Sequence, residues 1–307
     1  VAIGRLWAYA APAAAGLSGF CLLAGAPLGV VQALAIIAAG VMVGASLQVL
    51  RRLTAPFTIV LALGAACWLV GNLAWLASGM LTPAVPWWLA FLVLTIAGER
   101  LELTRFLPTP PAAQRLFIAI VGAILAGAAL SLWFADGGLR LFAGGLLALA
   151  GWLLRYDIAR RNARQQGLTR FIAVCLLSGY VWLALAGALG LAGALLPGAA
   201  WRDAALHAIG LGFVFAMVFG HAPIIFPAVA RVKIPYHPVF YVPLLVLHAS
   251  LALRIGGGLV GDFAVQRAGG AANALALLLF IATILISVVR GKRQTSSSRK
   301  VTHDETP

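Results

Sequence analysis

The chain has 307 residues, 63% of them hydrophobic and only 10% charged. A soluble domain of this length carries roughly a quarter charged residues, so a water-soluble globular fold is excluded. The formal net charge of +14 would suit nucleic acid, but the basic residues are spread over connections between apolar runs, where topology places them. No nucleic-acid partner is expected; the partner expected is the lipid bilayer, with a few basic side chains touching anionic lipid.

Apolar runs of about 18 residues or more recur along the whole chain, and each reads as a membrane span. In hydrocarbon every backbone N–H and C=O must be paired within the protein, which leaves helices or a closed barrel. The runs lack period-2 alternation, which selects helices. The expected fold is an all-α, polytopic transmembrane helical bundle of about ten spans. They fall at 6–25, 28–50, 55–79, 85–107, 114–134, 139–158, 169–196, 203–222, 239–258 and 269–289. The run after Arg5 is too long for a signal peptide and is read as the first span. Residues 1–290 are expected to form one transmembrane domain, and the polar, Ser-rich 291–307 a disordered cytoplasmic tail.

Lys and Arg give the orientation. With the N-terminus inside, the outer segments hold only Arg140, Arg202, Arg254 and Arg267, and the other 18 of the 22 basic residues fall inside. Losing one mid-chain span would scramble that bias, so it supports both the count and an N-in/C-in topology. Trp87 and Trp88 fit an interfacial belt. Cys21, Cys67 and Cys175 lie in apolar spans with no CxxC spacing and read as small buried hydrophobes.

Polar groups inside a membrane are costly and mark the places to look for chemistry. Four of the five histidines fall within one block: His207, His221, His237 and His248. His207 and His221 are fourteen residues apart on one span. On an ideal α-helix this leaves them about 40° apart in azimuth and about 21 Å apart in height. The next span runs antiparallel. Depth then pairs His221 with His237, and sets His207 within about 5–8 Å of the level of His248. Neutral imidazole is a common metal ligand and an axial ligand of haem iron, so all four are candidate cofactor or metal ligands, for haem b, copper or both. The competing reading is a set of helix-to-helix hydrogen bonds. His221 could also cap a helix before Pro223, and the proline-rich 222–235 could fold back as a re-entrant stretch.

Three carboxylates form candidate proton-relay positions. Asp203 lies four residues before His207, on the same face, where it could orient a ligated imidazole or simply favour a helix N-terminus. Glu99 and Glu102 share a face in the inner third of span four, with Arg100 pointing elsewhere. They read as buried relay groups or as a salt-bridged helix end. Asn72 and Gln48 read as interhelical hydrogen-bonding amides. No nucleotide or hydrolase motif is present.

The segment His207-Ala-Ile-Gly-Leu-Gly-Phe, opening a late helix of a many-span protein, resembles the NnrS family. That resemblance covers about the last third of the chain and its general architecture. It implies a membrane protein associated with haem and copper and with nitric oxide stress or denitrification, having His207 first and His221 next as ligands. The chain has fewer histidines than a full haem-copper oxidase core needs. The function expected is redox-linked, in nitrogen-oxide or respiratory metabolism, with other respiratory membrane proteins as possible partners. Two alternatives stand beside it: a cofactor-free transporter or permease, and an assembly or structural subunit of a respiratory complex.

Overall fold

A computed structural model describes residues 6–105 and 107–304, with side chains described as far as Gly291. The expected disordered tail lies outside the residues described in full. Among the described residues there is helix and turn and no strand. After a 3-10 turn at Leu6–Tyr9 come α1 Ala10–Leu23, α2 Leu28–Arg52, α3 Pro56–Ser78, α4 Val85–Thr104, α5 Pro111–Leu130 and α6 Ala135–Tyr156. Then follow a short α7 Ala159–Asn162, α8 Gly167–Leu191, α9 Arg202–His207, a π segment Ala208–Phe215, α10 Ala216–Ala230, α11 Tyr241–Val260 and α12 Phe263–Asp304.

Nine of the described helical stretches are long and apolar enough to cross a membrane, and one of them is Arg202–Ala230, where α9, the π segment and α10 run on continuously. The tenth expected span is α4, which is a 20-residue helix but carries Glu99, Arg100 and Glu102 in its last two turns. Many large apolar side chains point outward, among them Leu245, Leu278, Ile281 and Leu285. In water such a surface would aggregate; against lipid tails it costs nothing. The chain is a multi-pass helical membrane protein.

The residues fall into two compact units, one of Val1–Asp157 with Gly187–Ala199, the other of Ile158–Ala186 with Ala200–Pro307. In the first, neighbouring helices pack as hairpins: α1 on α2, α2 on α3, α3 on α4 and α5 on α6. Prolines open α3 and α5, where a missing N–H is harmless. Gly79 closes α3 in the left-handed conformation at φ 68°. Polar side chains bridge these helices. Asn72 Nδ2 donates to the Ala35 carbonyl at 3.0 Å, and Trp88 Nε1 donates to Asn72 Oδ1 at 3.0 Å. Trp152 Nε1 donates to the Ala113 carbonyl at 2.8 Å. Such bonds average about 0.6 kcal/mol in a membrane, so close packing has to supply the rest.

The second unit is centred on Phe171, Cys175, Phe219, Phe240, Leu244, Leu247 and Phe280. Phe219 and Phe280 stack with ring centres 3.8 Å apart and planes 7° from parallel. Glycines set how near the helices come. A Cβ on Gly212 would sit 2.5 Å from Trp182 Cβ, and one on Gly179 would sit 2.5 Å from Met217 Cε.

Two expectations need correction. Residues 222–235 do not form a re-entrant loop: α10 continues through Pro223 and Pro227 to Ala230, and an irregular stretch follows. Both prolines lack an N–H, so the carbonyls four residues earlier lose their helical donor, yet packing keeps the helix intact. The helix ends where Arg231 takes the left-handed conformation at φ 54°. Nor does an ideal α-helix join His207 to His221, because the π segment lies between them.

In the first unit, a Cβ on Gly127 would overlap the backbone of Phe142, whereas one on Gly122 meets nothing within 4 Å. Gly127→Ala should therefore destabilise the protein by about 1–3 kcal/mol, and Gly122→Ala should be neutral or slightly stabilising. Thermal unfolding in detergent reads both; equal melting of the two variants would contradict the close α5–α6 contact.

Candidate functional site

The histidines belong to the second unit, and their surroundings separate them into two kinds. His207 closes α9, where its Nδ1 lies 2.8 Å from the Asp203 carbonyl oxygen and 3.2 Å from Asp203 Oδ1. Both are acceptors, so Nδ1 carries the proton and Nε2 keeps its lone pair. His221, inside α10 and not capping it, does the same: its Nδ1 donates to the Met217 carbonyl at 2.6 Å. In each case the ring is held by the turn below it, in the tautomer that a metal-bound imidazole requires.

His248 and His237 have the opposite assignment. Trp182 Nε1, which can only donate, lies 2.9 Å from His248 Nδ1. The lone pair is thereby on Nδ1, and Nε2 carries the hydrogen, donating to Ser178 Oγ at 2.9 Å. Ser178 passes its own hydrogen to the Val174 carbonyl at 2.8 Å. His248 thus locks α11 to α8 and has no nitrogen left for a ligand. His237 Nδ1 accepts the Val239 N–H at 3.1 Å and caps the short turn before α11. Its Nε2 carries the proton in the neutral ring.

Asp203 is the hub of the polar cluster. It receives Arg254 as a bidentate pair, Nε at 2.9 Å on Oδ2 and Nη2 at 2.7 Å on Oδ1. Gln266 Nε2 adds a third bond at 3.1 Å. Three elements therefore meet on one carboxylate: α9, α11 and α12. The glycine pair of α12 makes room. A Cβ on Gly269 would overlap the Arg254 backbone, and one on Gly270 would come 2.7 Å from Arg254 Nη1. Deeper on the same helix pair, Ser250 Oγ donates to Asn273 Oδ1 at 2.6 Å, both buried.

The π segment between His207 and His221 changes their relation. A π turn closes i→i+5, so each residue turns the chain less than the ~100° of an α residue. The shared face expected for the pair is therefore lost over these eight residues. Among the described residues no group of three or more His, Cys, Asp or Glu converges as an ion would need. The arrangement suits a ligand that takes one imidazole at a time.

The segment that carries this chemistry lies within the part of the chain with known relatives. The chain belongs to the family described as Domain of unknown function (DUF8744). Its profile matches residues 1–289, which takes in the whole of the first unit and the second as far as residue 289. No curated protein and no solved structure matches.

In this DUF8744 chain the remaining relay candidates lie in the first unit. Glu99 is exposed, not buried as expected. Glu102 is half-buried and pairs with Arg105 at 3.6 Å. The buried charge of the α4 end is Arg100. Helix geometry explains this: residues i and i+3 share a face, and here that face looks outward while Arg100 turns in. Sequence reading missed Arg254, Gln266, Trp182 and Ser178. Arg254 was visible as one of four basic residues assigned outside, but its carboxylate partner is 51 positions away.

The Asp203–Arg254 pair is about a third exposed on the carboxylate and a quarter on the guanidinium. Discounted for that exposure, Asp203→Asn should cost about 1–2 kcal/mol of stability. A double-mutant cycle with Arg254→Gln, read by unfolding in detergent, should return a positive coupling of similar size; additive losses would show that solvent screens the pair.

Proposed function

We propose that this chain is a bacterial inner-membrane protein, N-in and C-in, that binds haem b through His207 and His221 and serves a redox-linked role in nitrogen-oxide or respiratory metabolism. The observation that carries the reading is the tautomer of these two rings: each is fixed by an Nδ1–H to an acceptor one turn below, the form in which haem iron would be taken at Nε2. Haem iron needs only one or two such imidazoles, which suits histidines that do not converge as a group. A copper centre built from three side chains of this chain fits less well for the same reason. His248 and His237 drop out of the ligand set, because their Nδ1 lone pairs accept from Trp182 and Val239.

Asp203 would position the His207 ring and is itself held by Arg254 and Gln266. A carboxylate behind a ligated imidazole raises its basicity and fixes its plane. When bound, haem would supply one-electron chemistry. The NnrS-like opening of the His207 segment supports the same class, by resemblance.

A second reading rests on the same carboxylate. Asp203, Arg254, Gln266 and His207 form a partly exposed charged cluster at one end of three spans, as a permease gate would. Under that reading the protein carries no cofactor.

The test is an optical spectrum with metal analysis of the detergent-purified protein. Wild type should show a Soret band, lost or shifted in His207→Ala or His221→Ala and retained in His248→Ala and His237→Ala. A metal-free wild type without a Soret band would sink the haem reading and leave the permease. A band lost only in His248→Ala would overturn the tautomer assignment.

A further inference from the structure

The second unit holds a cavity with both polar and apolar walls that none of the described histidines lines. It measures about 380 Å³ and is lined by Gln166, Gly167, Arg170, Val174, Tyr236 and Tyr241. Its walls come from the beginning of α8 and from the stretch that leads into α11. The two spans therefore start at the same end of the unit, and the cavity opens at that end.

Three features give it a chemical preference. Arg170 lines it, and among the described residues no carboxylate lies within ion-pair distance of that guanidinium. It also stands in the first turn of α8, where the positive end of the helix dipole disfavours a cation and favours an anion beside it. The phenols of Tyr236 and Tyr241, which share a hydrogen bond, and the amide of Gln166 add neutral donor groups. Both rings are braced. Tyr236 stacks on Phe240 at 6.2 Å with planes 9° apart, and Tyr241 meets Phe171 edge-on at 5.2 Å. Gly167, at φ 65°, turns the chain into α8 beside Tyr236. A site with one guanidinium, two phenols and an amide is built to hold a phosphate oxyanion.

The surroundings point to the source of that phosphate. Arg160, Arg161 and Arg164 precede the cavity and Arg231 and Lys233 lie just before Tyr236, with no Asp or Glu in 158–170 or 231–241. Basic residues at the cytoplasmic ends of spans attract anionic lipid, and tyrosines favour the headgroup level. We propose that this cavity is a specific site for the phosphodiester headgroup of an anionic membrane lipid, held by Arg170, Gln166, Tyr236 and Tyr241.

The experiment uses the full chain purified in a neutral detergent. Its thermal unfolding and native mass spectrum are recorded with phosphatidylglycerol, with phosphatidylcholine and with inorganic phosphate. Phosphatidylglycerol should raise the melting temperature and stay bound as discrete adducts; the other two should not. Arg170→Gln should weaken phosphatidylglycerol binding about five-fold, as expected for the loss of one basic contact near a membrane surface. Arg164→Gln lies outside the cavity and should weaken binding less than Arg170→Gln does. Because Arg170 is exposed, its substitution should not disturb folding; Tyr236→Phe with Tyr241→Phe gives a second variant that removes only the phenol donors and should also weaken binding. Equal stabilisation by phosphatidylcholine would overturn the site, as would equal weakening by Arg164→Gln, which would mean diffuse charge. An equal shift with inorganic phosphate would overturn the lipid as its source.

Discussion

The structure depends on one constraint: in hydrocarbon no backbone polar group can turn to water for its hydrogen bond. That makes the described chain helical wherever it is apolar, and it makes interruptions of a helix costly enough to be informative. The interruptions gather in one span. Between Arg202 and Ala230 the chain changes from α to π and back, then carries two internal prolines. The cost is offset by neighbours: Gly212 lets Trp182 close against the π segment, and Phe219 stacks on Phe280 below it.

Polar side chains obey the same constraint and divide by role. Some tie helices together, as Asn72, Trp152 and the Trp182–His248–Ser178 chain do. Others are held at Nδ1 by their own helix. His207 and His221 each spend Nδ1 on the turn below, a form of support that orients a ring for use on its other nitrogen. The distinction between the two kinds of histidine is therefore one of tautomer. It is imposed by whether the partner of Nδ1 donates or accepts.

Asp203 links the two roles. It bonds Arg254 and Gln266, which fasten α11 and α12, and it also faces His207. A change of charge at His207 would be felt at the ion pair that holds these helices.

What the sequence by itself determined is the class and the span plan. Run lengths of apolar residues and the uneven placement of Lys and Arg are local or summed properties, and each of the ten expected spans overlaps a helix, although the seventh stops at Leu191, the eighth runs on to Ala230 and the tenth begins at Phe263 and continues past residue 289. Asn72 was legible as an interhelical amide because a lone amide in an apolar run has few other uses. The tertiary structure alone decided which residues form the site. Asp203 and Arg254 stand 51 positions apart, and Trp182 and His248 stand 66 apart, so no spacing within one helix could announce them. The π segment broke the azimuth argument for His207 and His221, since periodicity assumes a constant turn per residue. The outward face of Glu99 followed from how α4 packs, which its own sequence, mixed on every side, does not set.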